Sequence, residues 1–544
     1  MSRIFHHRQG YMRTSRQLFS SCALLMGFCT AAAATDAQTT YANPVLSGFH
    51  ADPSVCRAGS DYYLATSSFE YFPGVPIYHS KDLVHWHQIG HALTRVSQLP
   101  LAHTRSSQGI YAPTLRYHDG TFYMITTNME GGGAFYVHAT DPAGPWSEPV
   151  WLNDPSFAMD PSLFFDDDGK VYYTRHGGGE HGGVYQAQID LQAGKLLDAP
   201  RLIWPGTGGV WPEGPHLYKV NGMYYLMISE GGTSYNHSLT MARSASPWGP
   251  FVAAPANPIL THRGHPDLPL QATGHGDLVQ TPQGNWWLTL LAIRPQDHHH
   301  HLGRETLLAP AAWDRQGWLT VNGGQPLATT MTVSGLPDAA PWPAPPVRDP
   351  FDSPGLGLQW QLLRGPGDGL WSLSERPGAL RLKGSAVTMN DLAQPAFIGR
   401  RQEHLRMRAA TAMDFTPSRP GQSAGLVLRQ NEKNYYELRV TGAPVRRLEL
   451  VTRVDGVTAV QATAVLPPGV VTLAVESFAN RYQFSYRSGT AAPSSLIGTA
   501  PTAPLSSELA GGFTGVYIGM FAEGAGKAAM PAADFSWFDY QPLE

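Results

Sequence analysis

Short runs of aromatic and aliphatic residues, each opened by a turn pair, recur along the first 330 residues of the chain. Five copies share this pattern: 59–63 (GSDYY), 119–123 (DGTFY), 168–173 (DGKVYY), 221–225 (NGMYY) and 283–287 (QGNWW). The first aromatic residues of successive copies are 60, 50, 52 and 62 residues apart. Asp-Gly and Asn-Gly before aromatic and β-branched runs are typical of hairpins. Strands with a period of about 50 residues predict propeller blades, and five copies predict a five-bladed β-propeller.

A second element precedes each aromatic pair by 10 to 12 residues. Its five copies are 52–55 (DPSV), 112–115 (APTL), 160–163 (DPSL), 214–217 (GPHL) and 275–278 (HGDL). One hairpin before the aromatic strand, this strand is predicted to be innermost in its blade and to line the central channel. The first positions of the copies should then converge on the axis: Asp52, Ala112, Asp160, Gly214 and His275, with Glu213 next to Gly214.

The repeats end near residue 330, and the pattern changes. Residues 336–348 contain five prolines and predict a stiff linker. Beyond it, alternating segments such as 424–429 (AGLVLR) and 435–440 (YYELRV) predict a β-sandwich. The predicted organisation is an export signal at 1–37, a propeller at 38–335, a linker at 336–348 and a sandwich at 349–544.

Composition agrees with an all-β protein. The chain has 57 Gly and 45 Pro, 42% hydrophobic and 11% aromatic residues, but only 15% charged residues. So many helix breakers exclude a coiled coil or long helical bundle, and the hydrophobic content excludes a disordered or collagen-like chain.

The first 37 residues differ from the rest. Four arginines at positions 3, 8, 13 and 16 precede an apolar stretch at 18–34 that ends in small residues. This order predicts a secretory signal peptide, and hence a secreted or periplasmic protein, because the stretch is short for a membrane span of about 20 residues. Without 1–37, 34 basic and 41 acidic residues remain, which favours neither nucleic acid nor an anionic membrane as a partner. Cys56 then has no cysteine partner and is expected to be a buried hydrophobe.

The carboxylates at the predicted channel mouth indicate the chemistry. Glycoside hydrolysis needs one carboxylic acid to protonate the leaving oxygen and one carboxylate to activate water or attack the anomeric carbon. A third carboxylate raises the pKa of the acid by like-charge repulsion. An Asp before Pro often only caps a turn. Two such aspartates in register, together with Glu213, favour a catalytic site over that structural role.

Several motifs resemble glycoside hydrolase family 43. They are 43–55 (NPVLSGFHADPSV), 66–77 (TSSFEYFPGVPI), 80–83 (SKDL), 160–164 (DPSLF), 211–215 (WPEGP), 274–277 (GHGD) and 303–306 (GRET). The second domain resembles the concanavalin-like sandwich of the β-xylosidase branch. The resemblance therefore covers nearly the whole chain after residue 40.

The resemblance implies roles for individual residues. Asp52 matches the general base, Glu213 the general acid and Asp160 the carboxylate that modulates the acid's pKa and orients substrate. The family inverts configuration, so Asp52 and Glu213 are expected roughly 6.5–9.5 Å apart. Arg304 matches an arginine beside the acid that binds a sugar hydroxyl. His275 matches a histidine that holds a hydrated calcium ion in many relatives; no cofactor is expected for the chemistry itself.

Other residues bear on the sugar pocket. Met159 and Tyr111 stand where relatives often carry an aromatic residue and Trp respectively, so the resemblance leaves the choice between xylose and arabinose open. Aromatic side chains that could stack on a sugar, or equally serve the core, are Phe69, Tyr71, Phe72 and Trp211. Arg294 is a second candidate for substrate binding, with a salt bridge as the alternative.

Two further segments are candidates for the pocket rim. The run 298–301 is four histidines, which invites a zinc interpretation, but a loop leading into 303–306 is favoured, with His300 or His301 lining the pocket. In relatives, a sandwich loop closes the pocket and favours chain-end cleavage. The candidate for that loop is 511–515 (GGFTG).

The leading hypothesis is an exported, inverting exo-glycosidase. It would remove terminal β-D-xylosyl and/or α-L-arabinofuranosyl residues from oligosaccharides of xylan and arabinoxylan. One alternative is α-L-arabinofuranosidase as the sole activity. An alternative from a different class is a non-catalytic propeller that binds carbohydrate.

Overall fold

The computed structural model describes residues 38–154, 158–489, 492–524 and 530–543. The predicted export signal at 1–37 lies outside them. The regular secondary structure of the described chain is almost entirely β-strand. The exceptions are a four-residue α-helix α1 (Ser507–Ala510) and short 3-10 helices at Gly179–His181, Asn322–Gly324 and Ala503–Leu505. None of these helices is long and apolar enough to cross a membrane.

The strands of the first part of the chain run to residue 334. In chain order they are β1 (Gln38–Ala42), β2 (Ser54–Ala58), β3 (Asp61–Ala65), β4 (Tyr71–Phe72), β5 (Gly74–Ser80), β6 (His87–Leu93), β7 (Thr114–His118), β8 (Thr121–Asn128), β9 (Gly133–Ala139), β10 (Val150–Trp151), β11 (Met159–Phe165), β12 (Val171–Gly177), β13 (Gly183–Asp190), β14 (Lys195–Leu196), β15 (Arg201–Trp204), β16 (Glu213–Val220), β17 (Met223–Glu230), β18 (Ser238–Ser244), β19 (Val252–Ala253), β20 (Leu260–Thr261), β21 (Gln271–Gln280), β22 (Trp286–Ile293), β23 (Glu305–Trp313), β24 (Leu319–Val321) and β25 (Thr330–Ser334).

Apart from β1, β4 and β25, these strands form five antiparallel sheets arranged in a ring. Their first four strands run in the orders β2-β3-β5-β6, β7-β8-β9-β10, β11-β12-β13-β14, β16-β17-β18-β19 and β21-β22-β23-β24. The first strand of each sheet contacts the first strand of the next, and β21 contacts β2, which closes the ring. The strands formed by the second repeated element are therefore the innermost strands of their sheets. The strands that begin with the aromatic pairs are second in each sheet, as predicted.

The hairpins between first and second strands have the predicted turn chemistry. In the second and fourth sheets, Asp119-Gly120 and Asn221-Gly222 both have positive φ at the two turn residues. This is the type I′ pattern, whose twist matches that of the flanking strands. The N-terminal strand β1 pairs with β25, and the Asn43 side chain both donates to the carbonyl of Leu308 (2.9 Å) and accepts from its N–H (3.0 Å).

The second part of the chain forms a β-sandwich. Its strands are β26 (Arg348–Asp349), β27 (Leu362–Leu363), β28 (Trp371–Ser372), β29 (Leu380–Leu382), β30 (Ala396–Arg401), β31 (Met407–Asp414), β32 (Ser423–Asn431), β33 (Asn434–Thr441), β34 (Arg447–Val454), β35 (Val457–Val465), β36 (Val471–Phe478), β37 (Arg481–Ser488), β38 (Ser495–Pro501), β39 (Tyr517–Glu523) and β40 (Ala533–Pro542). One sheet has the order β28-β29-β40-β31-β36-β37-β38, with β26 on β40, and the other β30-β39-β32-β33-β34-β35. Alternate residues such as Leu426, Leu428 and Met520 fill the core between them.

The opposite face of the second sandwich sheet packs on the ring. Strand β27 pairs with β4, and the rings of Tyr71 and Tyr517 stack with centroids 3.7 Å apart. Arg429, fully buried, donates to Glu70 at 3.3 Å and to the hydroxyl of Tyr71 at 3.2 Å. Cys56 is buried in the core of the first two sheets as a free thiol, as expected, and burial raises its pKa.

Candidate active site

Four of the five inner strands carry the same backbone irregularity at their channel end. Asp52, Asp160, Gly214 and His275 all have φ between 46° and 59°, the left-handed region that non-glycine residues rarely adopt. In β11, β16 and β21 the register with the neighbouring strand shifts at this point. Such bulges re-aim side chains next to active sites. The repeated pattern in the sequence thus corresponds to a repeated bend that directs side chains into the channel.

These bends bring the predicted residues together. The backbone N–H of Gly214 donates to Asp160 Oδ2 at 3.0 Å. His275 Nδ1 lies 3.7 Å from Asp52 Oδ1 and 3.9 Å from Asp160 Oδ2. One end of the channel therefore brings together Asp52, Asp160, His275 and Gly214. Glu213 lies there too, because it is the neighbour of Gly214 in the chain.

Asp52 is a buried carboxylate held ionised. It accepts a hydrogen bond from Ser67 Oγ at 2.6 Å, and Arg304 donates to both of its oxygens, at 2.6 and 3.2 Å. Burial raises the pKa of Asp52, but the charges of Arg304 and His275 and the bond from Ser67 outweigh it and lower the pKa. Asp52 can therefore accept a proton at neutral pH.

Glu213 has the opposite ionisation. It is buried, and no Lys, Arg or His in the described ranges forms an ion pair with it. Burial, followed by the negative charges of Asp160 and Asp52, holds the pKa of Glu213 well above its usual value. The Glu213 carboxyl group therefore stays protonated and can donate a proton.

Asp160 interacts electrostatically with both of these groups. Burial raises its pKa, and the charge of Asp52 adds to the rise while His275 opposes it. Asp160 in turn raises the pKa of Glu213. The Asp160 carboxylate is oriented by the N–H of Gly214, the residue after Glu213. This arrangement is what a carboxylate that modulates a neighbouring acid requires.

Arg304 lies against Asp52, and its charge also acts on Glu213, the acid beside which the sequence predicted it. Its guanidinium is 6% exposed and forms a two-pronged pair with Asp52, and its Nε has no hydrogen-bond partner in the described part of the chain. Strand β23 begins at the next residue, Glu305. Arg294 forms the salt bridge given as its alternative, with both Glu305 oxygens at 2.7 and 2.8 Å.

Three aromatic rings lie beside Arg304. Its guanidinium carbon is 5.9 Å from the ring centre of Phe69 and 5.5 Å from that of Phe513. Tyr111 packs against both rings, at 5.2 Å from Phe69 and 6.0 Å from Phe513. Burial raises the pKa of Tyr111 to about 12, so its hydroxyl group is neutral.

Phe513 belongs to the predicted sandwich loop 511–515, which reaches this site. Its backbone N–H donates across the domain boundary to Ser107 Oγ at 2.8 Å. Gly303 and Gly515 approach so closely that a Cβ on Gly515 would lie 2.1 Å from the carbonyl oxygen of Leu302. Only glycine at 515 permits this contact between sandwich and ring.

Trp211 and Met159 lie near Asp160. Met159 precedes it and pairs with His176 across β11 and β12, and the Trp211 ring is 5.6 Å from that of His176. Glu230, which sequence reasoning missed, holds the loop before Trp211 by accepting from the N–H groups of Thr207 and Gly209 at 2.9 and 3.0 Å. A buried Glu in a long strand carries no sequence signal for this role.

Two of the pocket candidates pack in the interior. Phe72 packs in the apolar core of the first two sheets, and this packing gives no support to its predicted contact with sugar. His301 is buried against Tyr482 of the sandwich, with ring centres 5.9 Å apart, rather than lining a pocket. His300 donates its N–H to Glu508 in α1 at 3.0 Å. Across the described residues, no group of three His, Cys, Asp or Glu side chains is placed to hold a metal ion, so the histidine run forms no zinc site there.

The predicted calcium site fits only in part. Calcium takes six to eight oxygen ligands, and protein carboxylates usually supply several of them. Both Asp52 oxygens are taken by Arg304 and Ser67, and Asp160 Oδ2 accepts from Gly214. His275 could supply one ring nitrogen, with water for the remaining ligands.

A second polar cluster lies on the inner strands. Asp277, fully buried on β21, accepts hydrogen bonds from Ser54 on β2, Arg116 on β7 and Tyr218 on β16, each at 2.7 Å. Arg116 also donates to His216 Nδ1 at 2.8 Å. No role for Asp277 could be predicted from the sequence, because only the closed ring brings these four strands together.

Comparisons with known proteins agree with this geometry. The family model for glycosyl hydrolases family 43 matches residues 41–319, and that for the beta xylosidase C-terminal concanavalin A-like domain matches 348–541. The chain is 45% identical over 515 residues to a non-reducing end alpha-L-arabinofuranosidase of Bacteroides ovatus, covering 93% of this chain and 96% of the relative. It is 40% identical over 515 residues to a xylosidase/arabinosidase of Butyrivibrio fibrisolvens, covering 92% and 99%. A solved structure, Bacteroides ovatus xyloglucan PUL GH43B, superposes with a TM-score of 0.89 at 45% identity, covering 93% of this chain and all of that one.

Proposed function

The chain belongs to glycosyl hydrolases family 43, and from this premise we propose that it is an exo-glycosidase that removes terminal pentosyl residues from xylan or arabinoxylan oligosaccharides. The observation that carries the proposal is the opposite ionisation of two buried carboxyl groups, Asp52 and Glu213, at one end of the channel. A non-catalytic carbohydrate-binding propeller would have no use for this costly arrangement.

Family 43 hydrolases invert the anomeric configuration, which sets the roles of the two groups. Glu213 donates its proton to the glycosidic oxygen as the bond from that oxygen to the anomeric carbon breaks. A water molecule bonds to the anomeric carbon from the opposite face, and Asp52 takes its proton. Asp160 keeps Glu213 protonated until the transfer, and Arg304 keeps Asp52 ionised and oriented.

The pocket is proposed to accept the end of a chain rather than its middle. Phe513, from the sandwich, lies over Arg304 and beside Phe69 and Tyr111. An aromatic ring at this place covers one side of the site and leaves room for a terminal sugar. Trp211 and Met159 are proposed to form the floor near Asp160.

A specific observation favours α-L-arabinofuranosyl as the main glycone. The B. ovatus relative at 45% identity is an arabinofuranosidase, and the B. fibrisolvens relative, named for both activities, is 40% identical. Aryl α-L-arabinofuranoside and aryl β-D-xylopyranoside should be compared at equal concentration. Faster release from the furanoside supports this second proposal, and equal rates support a dual activity; release from neither would contradict the proposed function.

Mechanism and metal are tested separately. Proton NMR of the first-formed sugar should show the anomer opposite to that of the substrate, and a retained anomer would remove the base role from Asp52. A hydrated calcium ion on His275 remains part of the proposal. Addition of a chelator should then lower the melting temperature, whereas the same treatment of His275→Ala should leave it unchanged.

We also propose that the protein acts outside the cytoplasm, on the grounds of its N-terminal 37 residues. Expression in a bacterial host should yield a mature protein that begins near residue 38. N-terminal sequencing of the exported fraction checks this cleavage.

A further inference from the structure

A large cavity lies where the first propeller sheet, the proline-rich segment and the sandwich meet. Its volume is about 1060 Å³, and Asp52, Asp160, Glu213 and Arg304 are not among the residues that line it. Its lining combines aromatic and basic side chains, among them Trp86, Trp342, His50, Tyr78, Arg400 and Arg401. Cavities of this size with aromatic walls and a few polar groups are the usual form of a small-molecule site.

Arg401 is a buried cation whose guanidinium carbon lies 5.5 Å from the ring centre of Phe49 and 5.7 Å from that of Tyr517. It is 3% exposed, and its Nε donates to the carbonyl oxygen of Phe49 at 2.6 Å. Its Nη2 has no hydrogen-bond partner, and no carboxylate within the described ranges lies within ion-pair distance of it. Two ring faces and one carbonyl oxygen compensate a buried guanidinium group less than a carboxylate does, so the position of Arg401 on a cavity indicates an anionic ligand.

No acidic side chain of the cavity lining forms an ion pair with Arg401, although the charge of Glu403 acts on it from farther away. The two acidic residues in the lining are engaged elsewhere: Glu403 pairs with Arg400 at 3.1 Å, and Asp349 accepts from the indole N–H of Trp360 at 2.7 Å. His50 shares a hydrogen bond with the hydroxyl of Tyr78 at 2.8 Å. Burial and the charge of Arg401 lower the pKa of His50, so it adds no second positive charge.

Two tryptophans supply apolar faces to the same cavity. Trp86 is held by a hydrogen bond from its indole N–H to the carbonyl oxygen of Leu83 at 2.8 Å. Trp342, in the proline-rich segment, packs its ring 5.3 Å from that of His79 and 5.4 Å from that of His87. Both are only half-buried, so part of each ring remains open to a ligand. Rigid aromatic faces suit the apolar face of a sugar ring.

We propose that this cavity is a second carbohydrate site that binds a uronic-acid-bearing oligosaccharide, with the carboxylate on Arg401 and sugar rings on Trp342 and Trp86. The site is separate from the catalytic channel and does not depend on the reaction proposed for it. It would hold acidic side groups of a polysaccharide while the chain end is cleaved elsewhere.

The test measures binding by calorimetry to the full chain carrying Glu213→Gln, which slows hydrolysis of the probe. The probes are xylotriose substituted with one glucuronic acid, plain xylotriose and inorganic phosphate. The acidic trisaccharide should bind at least tenfold more tightly than plain xylotriose. Equal affinity for the two sugars would overturn the proposal. So would phosphate binding as tight as the acidic sugar, because the site would then be a simple anion site.

Variants locate the binding. Trp342→Ala should weaken binding of the acidic probe at least tenfold. The control is Trp248→Ala, which should not: Trp248 is a half-buried tryptophan in the turn between β18 and β19, with the Arg201 guanidinium 3.7 Å from its ring centre. Arg401→Met should abolish the preference for the acidic probe, and Arg401→Lys should retain part of it. Melting temperatures identify any misfolded Arg401 variant, and in that case Trp342→Ala decides alone. An unchanged affinity in Trp342→Ala contradicts the proposal.

Discussion

At the residue scale, two buried carboxyl groups have opposite ionisation because their neighbours differ. Asp52 receives two hydrogen bonds from Arg304 and one from Ser67, whereas Glu213 faces the carboxylates Asp160 and Asp52. Burial alone would raise the pKa of both. The charge pattern separates them into a base and an acid at neutral pH.

Loss of the Asp52 carboxylate and loss of the Glu213 carboxyl group should both reduce turnover, but they should depend differently on the leaving group of the substrate. Asp52→Asn should lower kcat about 10²–10⁴-fold for every substrate, because no other group accepts the proton of water. Glu213→Gln should cause a similar loss with alkyl glycosides but a much smaller one with a dinitrophenyl glycoside, whose leaving group needs no proton. Steady-state kinetics with both leaving groups measure this. An equal loss of Glu213→Gln on the two substrates contradicts the acid role.

The alkaline limb of the pH profile should depend on Asp160. Activity needs Glu213 protonated, so it falls as pH rises through the raised pKa of Glu213. Asp160→Asn removes a negative charge, lowers that pKa and moves the alkaline limb of kcat/KM to lower pH. Asp168→Asn, in the exposed turn that follows β11, is the control and should leave the limb in place. An unmoved limb in Asp160→Asn excludes electrostatic modulation by that residue.

At the element scale, the inner strands have two roles: they direct site residues into the channel, and they are linked to one another by polar side chains. Their left-handed bends aim Asp52, Asp160 and His275 into the channel, and the residues that follow tie the strands to one another. Asp277, two residues after His275, links β21 to β2, β7 and β16 through Ser54, Arg116 and Tyr218. The site is therefore positioned by strands that are cross-linked by a buried polar network.

Asp277 should matter for stability more than for catalysis. Burial raises its pKa, but Arg116, His216 and the bond from Ser54 outweigh this and lower it to about 2. Its stabilising contribution is therefore present above pH 3.8 and is lost as pH falls towards 2. Asp277→Asn leaves Arg116 uncompensated and should reduce the free energy of unfolding by about 3–5 kcal/mol.

Urea unfolding at pH 7 measures that loss. The control is Asp119→Asn, at an exposed turn position whose positive φ asparagine also adopts, which should change stability by less than about 0.5 kcal/mol. Equal stabilities of the two variants would falsify the cross-linking role of Asp277.

At the scale of the whole molecule, the sandwich completes the site that the propeller begins. Its second sheet buries Tyr517 on Tyr71 and Arg429 on Glu70, and the loop after α1 brings Phe513 to Arg304. Ser107 joins the two contacts, because its N–H donates to Glu70 at 2.9 Å and its Oγ accepts from the N–H of Phe513 at 2.8 Å.

Phe513 should therefore influence catalysis from the second domain. Phe513→Ala uncovers one side of the site and should lower kcat/KM for aryl pentosides about tenfold, since water then screens the charges around Arg304. Leu509→Ala is the matched control and should keep full activity, because Leu509 lies in α1, just before the Phe513 loop, and is 61% exposed. Thermal unfolding of both variants checks that the loop still packs. An unchanged kcat/KM in Phe513→Ala would show that the sandwich does not contribute to catalysis through Phe513.

The sequence by itself determined the all-β class, the five repeated sheets and the sandwich, and it predicted the three carboxylates that the ring brings to one end of the channel. Hairpin turns and alternation are local properties, and a repeat places equivalent residues at equivalent points of a ring without knowledge of any contact. The tertiary structure alone decided which distant residues meet. It set Arg304 on Asp52 across 252 residues of chain, placed Phe72 and His301 in cores, and formed the Asp277 network and the cavity around Arg401. Pairings between distant segments depend on how sheets and domains pack, and no local pattern of residues encodes that packing.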